Sequence, residues 1–582
     1  MLKGHPKGLL VAFFANMGER FGYYTMLAIF VLFLQARFGF STSQAGDYYG
    51  GFLFGIYFLP IIGGIIADRW LGYGKTITLG TIIMFLGYML LASPGFNIFG
   101  SSNDIAIIVI IIALFVISLG TGLFKGNLQA LVGKLYDDPQ FAPNRDNAFN
   151  IFYMGINIGA FFAPSAATGI VNYMLKNRGG TDFVYESTIP HLSNLQANAH
   201  PFLDQMTGTL QNNFANVANY TDKLQGFMGE MNFEGTISKF INLYPETLST
   251  GYSGGFAIAA LSMVASLIIF TAFRKHYKHA DVTEKQKEAA AAAKGEKSTT
   301  VQMSKEEEKK RLVALGLVFI TVAFFWMAFH QNGFTLTIFA RDYTVSEVSK
   351  FTYMFFDLKA FLPLLMAVGG LVFLLRPKSS STNRALGAGL TVAGAGLAYW
   401  AYSAFEPEAS GMMKIEPQLF QHFNPIFIVF LTPVIVGFFT WLRKKGKEPS
   451  SPRKIGTGMF LTALGFAVML YGALKLQSMT GLNPYWLIGT YFTLTIAELF
   501  LSPIGISFVS KVAPPRFLGL AQGGWLGATA IGNLLAGLVG KLWDIVELWQ
   551  FFALLVALTV LSGIFIFSIM KILESATESS NQ

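Results

Sequence analysis

Stretches of apolar residues about as long as a bilayer is thick recur along almost the whole chain. They lie near residues 8–35, 48–67, 76–95, 104–131, 147–173, 253–273, 312–339, 356–375, 384–404, 423–442, 455–474, 484–510, 517–540 and 549–572. A helix needs about 20 mostly apolar residues to cross the hydrocarbon of a membrane. Backbone polar groups find no water there, so such a segment has to bond within itself as a helix. The pattern predicts an all-α integral membrane protein with fourteen spans. The first stretch is expected to stay as a span. It is too long for a cleaved signal peptide, has no small-residue cleavage site and contains Glu19-Arg20.

A deficit of charge excludes most alternatives. Charged residues make up 13% of the 582, against about 25% in a soluble domain. An ordinary soluble enzyme, a disordered chain and a nucleic-acid binder are thereby excluded. The chain has no Cys, so it holds no disulfide framework, thiolate nucleophile or sulfur-ligated metal. It is rich in Phe (57) and Gly (60), which suit lipid contact and close helix packing. No cofactor is expected; the expected surroundings are membrane lipid.

Charge placement orients the spans. With the N-terminus in the cytoplasm, most of the 42 Lys and Arg fall on the cytoplasmic side, as the positive-inside rule requires. This predicts a multi-pass protein of the cell (inner) membrane with both termini cytoplasmic. Residues 1–273 then form a six-span N-terminal half. Within it, 174–252 is a polar external insertion, a candidate periplasmic cap or contact for a periplasmic partner. Residues 274–311 form a charged cytoplasmic linker, with an Ala run followed by Ser304-Lys-Glu-Glu-Glu-Lys-Lys. It reads as a solvated helix or a flexible tether. Residues 312–582 form a second half with eight spans, of which a pair at about 356–404 is expected outside the core.

An ionisable side chain inside a span is costly unless paired or wet, so each marks a candidate site. At 100° per residue, Asn16, Glu19, Arg20, Tyr23 and Tyr24 share one broad face of the first span. That face presents a carboxylate, a guanidinium and two phenols to a cavity, or locks two helices with an ion pair. Lys125 sits among glycines in Gly120-Thr-Gly-Leu-Phe-Lys125-Gly-Asn127. It either lines a polar cleft or snorkels to the interface. Glu498 is mid-span, with Ser502-Pro503 one turn later; an acid there titrates or awaits a cation. His330 follows Phe324-Phe-Trp-Met-Ala-Phe, as a proton site or a satisfied hydrogen-bonding group. Asp68-Arg69 ends the second span inside a glycine-rich frame and fits a gate at a helix end.

Several of these segments carry motifs. Asn16-Met-Gly-Glu19-Arg20-Phe21-Gly-Tyr23-Tyr24 resembles ExxERFxYY. Phe152-Tyr153-Met-Gly-Ile156-Asn157-Ile-Gly159, after Arg145-Asp146, resembles FYxxINxG. Thr495-Ile-Ala-Glu498-Leu-Phe-Leu-Ser502-Pro503-Ile-Gly505 resembles a third signature. Gln421-His-Phe-Asn424-Pro425 and Trp525 add weaker support. Together the chain resembles the proton-dependent oligopeptide transporters, the POT or PTR peptide transporters of the major facilitator superfamily. The resemblance implies a major facilitator fold, with six plus six helices in two pseudo-symmetric halves and two extra helices. It implies secondary active import of di- and tripeptides by alternating access, with proton symport. By resemblance, Glu498 receives the peptide ammonium, while Arg20 and Lys125 handle its carboxylate and couple to protonation of Glu19. Tyr23, Tyr24, Tyr57, Asn157, Asn424 and Trp525 line the pocket, and Asp68 and Arg69 gate it.

Two departures bear on coupling. The signature begins with Glu where this chain has Asn16, and the family's acid in the seventh span is His330 here. Glu19 and His330 are therefore the expected proton carriers, or the stoichiometry is reduced to that of a weakly coupled facilitator. Bacterial members commonly place the extra pair between the sixth and seventh spans, whereas here it is expected after the seventh. Three rival functions fit the residues less well. Nitrate or another small anion would suit His330 but not Glu498. An enzyme is disfavoured, because no HExxH, GxSxG or phosphate loop is present. A peptide-sensing receptor would give the 174–252 insertion a role.

Overall fold

The computed structural model describes residues 4–100, 102–178, 183–186, 189, 220–281, 303–376, 380–407, 410–476, 481–514 and 517–578. The Ala run of the linker, Lys378 and Arg516 lie outside the described residues. The first half contains α1 (Lys7–Phe38), α2 (Thr42–Ile66), α3 (Tyr73–Ala92), α4 (Asn103–Lys134), α5 (Arg145–Arg178), α6 (Tyr220–Glu230) and α7 (Ile237–Ala272). The second contains α8 (Lys305–Phe329), α9 (Thr335–Asp342), α10 (Leu358–Leu375), α11 (Ser381–Ser403), α12 (Phe423–Lys444), α13 (Ser451–Lys475), α14 (Tyr485–Val512), α15 (Leu518–Gly540), α16 (Leu548–Ser568) and α17 (Met570–Glu578).

Local chemistry sets the helix ends. α1 stops where Gly39 takes a left-handed backbone, φ 66°, a conformation that favours glycine. α2 starts in a reciprocal cap: Ser41 accepts from the Gln44 amide, and the Gln44 side chain accepts from the Ser41 amide. α8 begins at the Lys-Glu-Glu-Glu-Lys-Lys run, with the Ser304 hydroxyl accepting from the Glu307 amide. That part of the linker is thus the first two turns of a membrane helix.

Among the described residues, thirteen helical segments are long and apolar enough to cross a membrane. The fourteenth expected span, α11, is a 23-residue helix, but its Gly, Thr, Ser and Tyr content leaves it short of that apolarity. It packs against α10, and Gly370, Gly387 and Gly394 allow the two backbones to touch. The expected insertion is narrower than 174–252. α5 continues to Arg178 and α7 starts at Ile237. The early turns of α7 are too rich in Ser, Thr and Asn to read as a span, yet they bury Phe240, Tyr244 and Leu248. The expected single span at 312–339 is also broken, because α8 gives way to a tight turn at His330–Gly333 before α9.

The halves meet at the distal face, opposite the two chain ends. A Cβ on Gly50 of α2 would lie 3.0 Å from the Gly537 Cα of α15, so only glycine permits that approach. Around this seam Lys541 pairs with Asp47 at 2.6 Å, and Arg341 donates to the Gln35 side chain at 2.6 Å. The Ser43 amide donates to Asp544 at 3.0 Å.

Candidate functional site

The first-half charges sit on α1 and α4. Glu19 and Arg20 are both buried, at 1% and 4% exposure, and form a two-pronged pair: Arg20 Nε and Nη2 each donate to a Glu19 oxygen at 2.5 Å. A buried charge needs such a partner, because removing water from it costs several kcal/mol. The guanidinium also lies over the Tyr23 ring, 4.7 Å from its centre, and Tyr23 meets Tyr24 edge to face. The helical face read from sequence is therefore one connected cluster. Asn16 donates to the Phe152 carbonyl of α5 at 3.4 Å and so ties helices together.

Lys125 points its ammonium onto the ring of Tyr57 of α2, 3.6 Å from the centre. This is a close cation–π contact, which is worth more where water is scarce. The same ring meets the His330 imidazole edge-on at 6.1 Å. Tyr57 thus stands between a cation of one half and an imidazole of the other. His330 belongs to the tight turn between α8 and α9, a placement that the sequence did not signal. Two neighbouring helices satisfy carbonyls of that break, and the break bonds to a third. Tyr49 of α2 donates to the His330 carbonyl at 3.0 Å, and Tyr491 of α14 donates to the Asn332 carbonyl at 2.9 Å. Gln331 donates to the Ala536 carbonyl of α15 at 3.1 Å. Irregular backbone at membrane depth persists where protein groups bond it in this way. Tyr49, Trp326, Gln331 and Tyr491 were not singled out from sequence. Trp326 packs on the imidazole, with 5.0 Å between ring centres.

In the second half, Glu498 of α14 is half-buried. Asn424 of α12 donates to it at 3.0 Å and to Thr495 at 3.1 Å. Among the described residues, no Lys, Arg or His forms an ion pair with it. Trp525 of α15 is 4% exposed and seats its ring against Gly505, where a Cβ would lie 2.1 Å from the indole. Asn157 is half-buried and donates to the Tyr153 carbonyl one turn back.

Asp68 and Arg69 stand apart from this cluster, in a wide turn (Ala67–Leu71) that ends α2. Asp68 accepts from the Tyr73 hydroxyl, while Arg69 is exposed.

The arrangement offers cations set against aromatic rings in the first half, and in the second a carboxylate with no ion-pair partner among the described residues. A molecule with a carboxylate at one end and an ammonium at the other could bridge the halves.

Known proteins share the sequence and the fold. Residues 74–179 and 393–549 match the model of the POT family. A peptide transporter of Yersinia enterocolitica, YePEPT, is 28% identical over 92% of this chain and 88% of its own length. Dipeptide and tripeptide permease B of Shigella dysenteriae is 25% identical, over 92% and 86%. A crystal structure of the peptide transporter POT with sulfate matches at a TM-score of 0.63 and 22% identity, covering 99% of this chain and 96% of that one. The major facilitator fold follows from that likeness, and the sequence is similar to the POT family of membrane transporters over both matched segments.

Proposed function

We propose that the protein imports di- and tripeptides by alternating access, with protons as the coupling ion, across a bacterial inner membrane. Both termini then face the cytoplasm, and the distal face is periplasmic. The observation that carries the reading is the charge layout. Glu498 accepts from the Asn424 amide and has no ion-pair partner among the described residues, so it is open to an incoming cation. Arg20 and Lys125 stand on the other half, against the rings of Tyr23 and Tyr57.

A peptide is a zwitterion whose two end charges are fixed while its side chains vary. Its ammonium would meet Glu498, and its carboxylate would compete with Glu19 for Arg20 and with the Tyr57 ring for Lys125. Aromatic walls tolerate varied side chains. Engaging both ends draws the halves together, which is the step alternating access needs. A proton on Glu19 would remove the charge that holds Arg20, freeing the guanidinium for the substrate. His330, in contact with the ring beneath Lys125, is the second candidate proton carrier.

Uptake of labelled dialanine into liposomes tests this, with a proton gradient, a voltage or neither imposed. Accumulation driven by the proton gradient, blocked by another dipeptide and unaffected by nitrate, is the expected result. Uptake that nitrate abolishes would favour a small-anion carrier, and no uptake under any condition would refute peptide transport.

A further inference from the structure

The beginning of the external insertion forms a strap across the seam between the halves. On the first half its hold is aromatic. Phe183 is 3% exposed and packs against Phe233, Phe240 and Tyr244. The Tyr244 hydroxyl donates to the Val184 carbonyl at 2.9 Å and accepts from the Glu186 amide at 2.6 Å. Tyr185 lies beside Tyr252, with hydroxyls 3.5 Å apart. These contacts fix residues 183–186 to α7.

The hold on the second half is different in kind. Glu186 reaches out to Lys414 at 2.5 Å, with the two side chains 12% and 23% exposed. Lys414 rides on a short ribbon, Met413–Lys414 paired antiparallel to Glu347–Val348. The Ile415 amide extends the ribbon by donating to the Ser346 carbonyl. Beside the ion pair, α5 makes two more bonds to the same segment: Asn172 donates to Glu416 at 2.8 Å, and Thr168 accepts from Gln418 at 2.9 Å. The strap is therefore gripped by rings on one half and by charge on the other. When the distal face opens, the apolar grip can stay intact. Both charges can take up water there, and their mutual attraction is weak and screened by salt.

We propose that Glu186 and Lys414 form a releasable latch, through which the external insertion holds the distal gate shut between import cycles. The proposal rests on the alternating-access reading above, and its test reads conformation without needing substrate. The natural chain has no Cys, so one introduced cysteine reports alone. Ala28 suits the purpose: it is 1% exposed, and its carbonyl accepts from Gln421 of the other half. In Ala28→Cys, modification from the distal side by an impermeant thiol reagent measures gate opening.

Adding Glu186→Gln or Lys414→Gln is expected to speed modification about threefold, the scale of a partly exposed ion pair. High salt should speed the parent and leave these variants unchanged. The charge swap Glu186→Lys with Lys414→Glu should restore the parent rate. In a separate variant, Glu186→Cys with Lys414→Cys should stop uptake under oxidant and recover it under reductant. Unchanged modification rates in both single variants would overturn the latch even if dialanine is transported. Faster modification in a protein that fails to transport dialanine would keep the latch and count against the substrate.

Discussion

The two halves handle their interior charge differently. In the first half Glu19 and Arg20 satisfy each other at 2.5 Å and are sealed from water. In the second, Glu498 meets the neutral Asn424 amide, has no ion-pair partner among the described residues and remains half-buried. A closed pair has to be broken before either member can bind anything, whereas an acid held by neutral donors is already available. In the proposed import cycle the first half responds to a change of protonation and the second receives a cation. Lys125 lies between these cases, since its partner is a π-face that an anion can outbid.

Substitutions that keep shape but remove charge test this contrast. The largest effect is expected from Glu498→Gln. The Asn424 donor keeps an acceptor, so the thermal midpoint in detergent should stay near the parent's. Dialanine uptake should fall by about 10- to 150-fold, the value of a hydrogen bond to a charged group. Uptake within a factor of two of the parent would break the contrast.

Glu19→Gln should reverse that profile. It leaves Arg20 buried without an anion, at a cost of about 3–5 kcal/mol, so the protein should lose several degrees of thermal midpoint together with its coupling to pH. A variant that keeps parental stability would mean that the pair is not sealed.

The smallest effect concerns a carboxylate outside the membrane. Glu448, in the turn between α12 and α13, accepts from Arg443 and Lys454, which pull its carboxyl down to about 2. Its unfolded value is about 4.3. A depressed folded value stabilises above the unfolded one and is lost as pH falls through the folded one. The gap in thermal midpoint between parent and Glu448→Gln should therefore be steady from pH 7 to near 4.5 and close by pH 2. A gap that grows on acidification would contradict this.

Much of the fold was legible because a bilayer imposes length and apolarity on each span. The exceptions share a cause. The start of α7 and the whole of α11 are poor in apolar residues but pack closely through small ones, and hydropathy does not see packing. The break at His330 carries no Pro. It is tolerated because the Tyr49 and Tyr491 hydroxyls, from helices far away in sequence, donate to its carbonyls, while the Gln331 side chain ties the turn to the Ala536 carbonyl of α15. Within the site, the Glu19–Arg20–Tyr23–Tyr24 face was legible from helical period alone. The bond from Asn424 to Glu498 joins residues 74 positions apart, and no local pattern announces it.

The sequence by itself determined most of the segments that cross the membrane, where charge stays inside it and that Asn16, Glu19, Arg20, Tyr23 and Tyr24 of α1 share a face. Each follows from a period or from a desolvation cost within one segment. Only the tertiary structure decided that Tyr57 stands between Lys125 and His330, that Glu498 lacks an ionic partner among the described residues, and that Glu186 reaches Lys414 across the seam. Those facts depend on how separate helices pack, and packing is a property of surfaces that one segment's sequence does not contain.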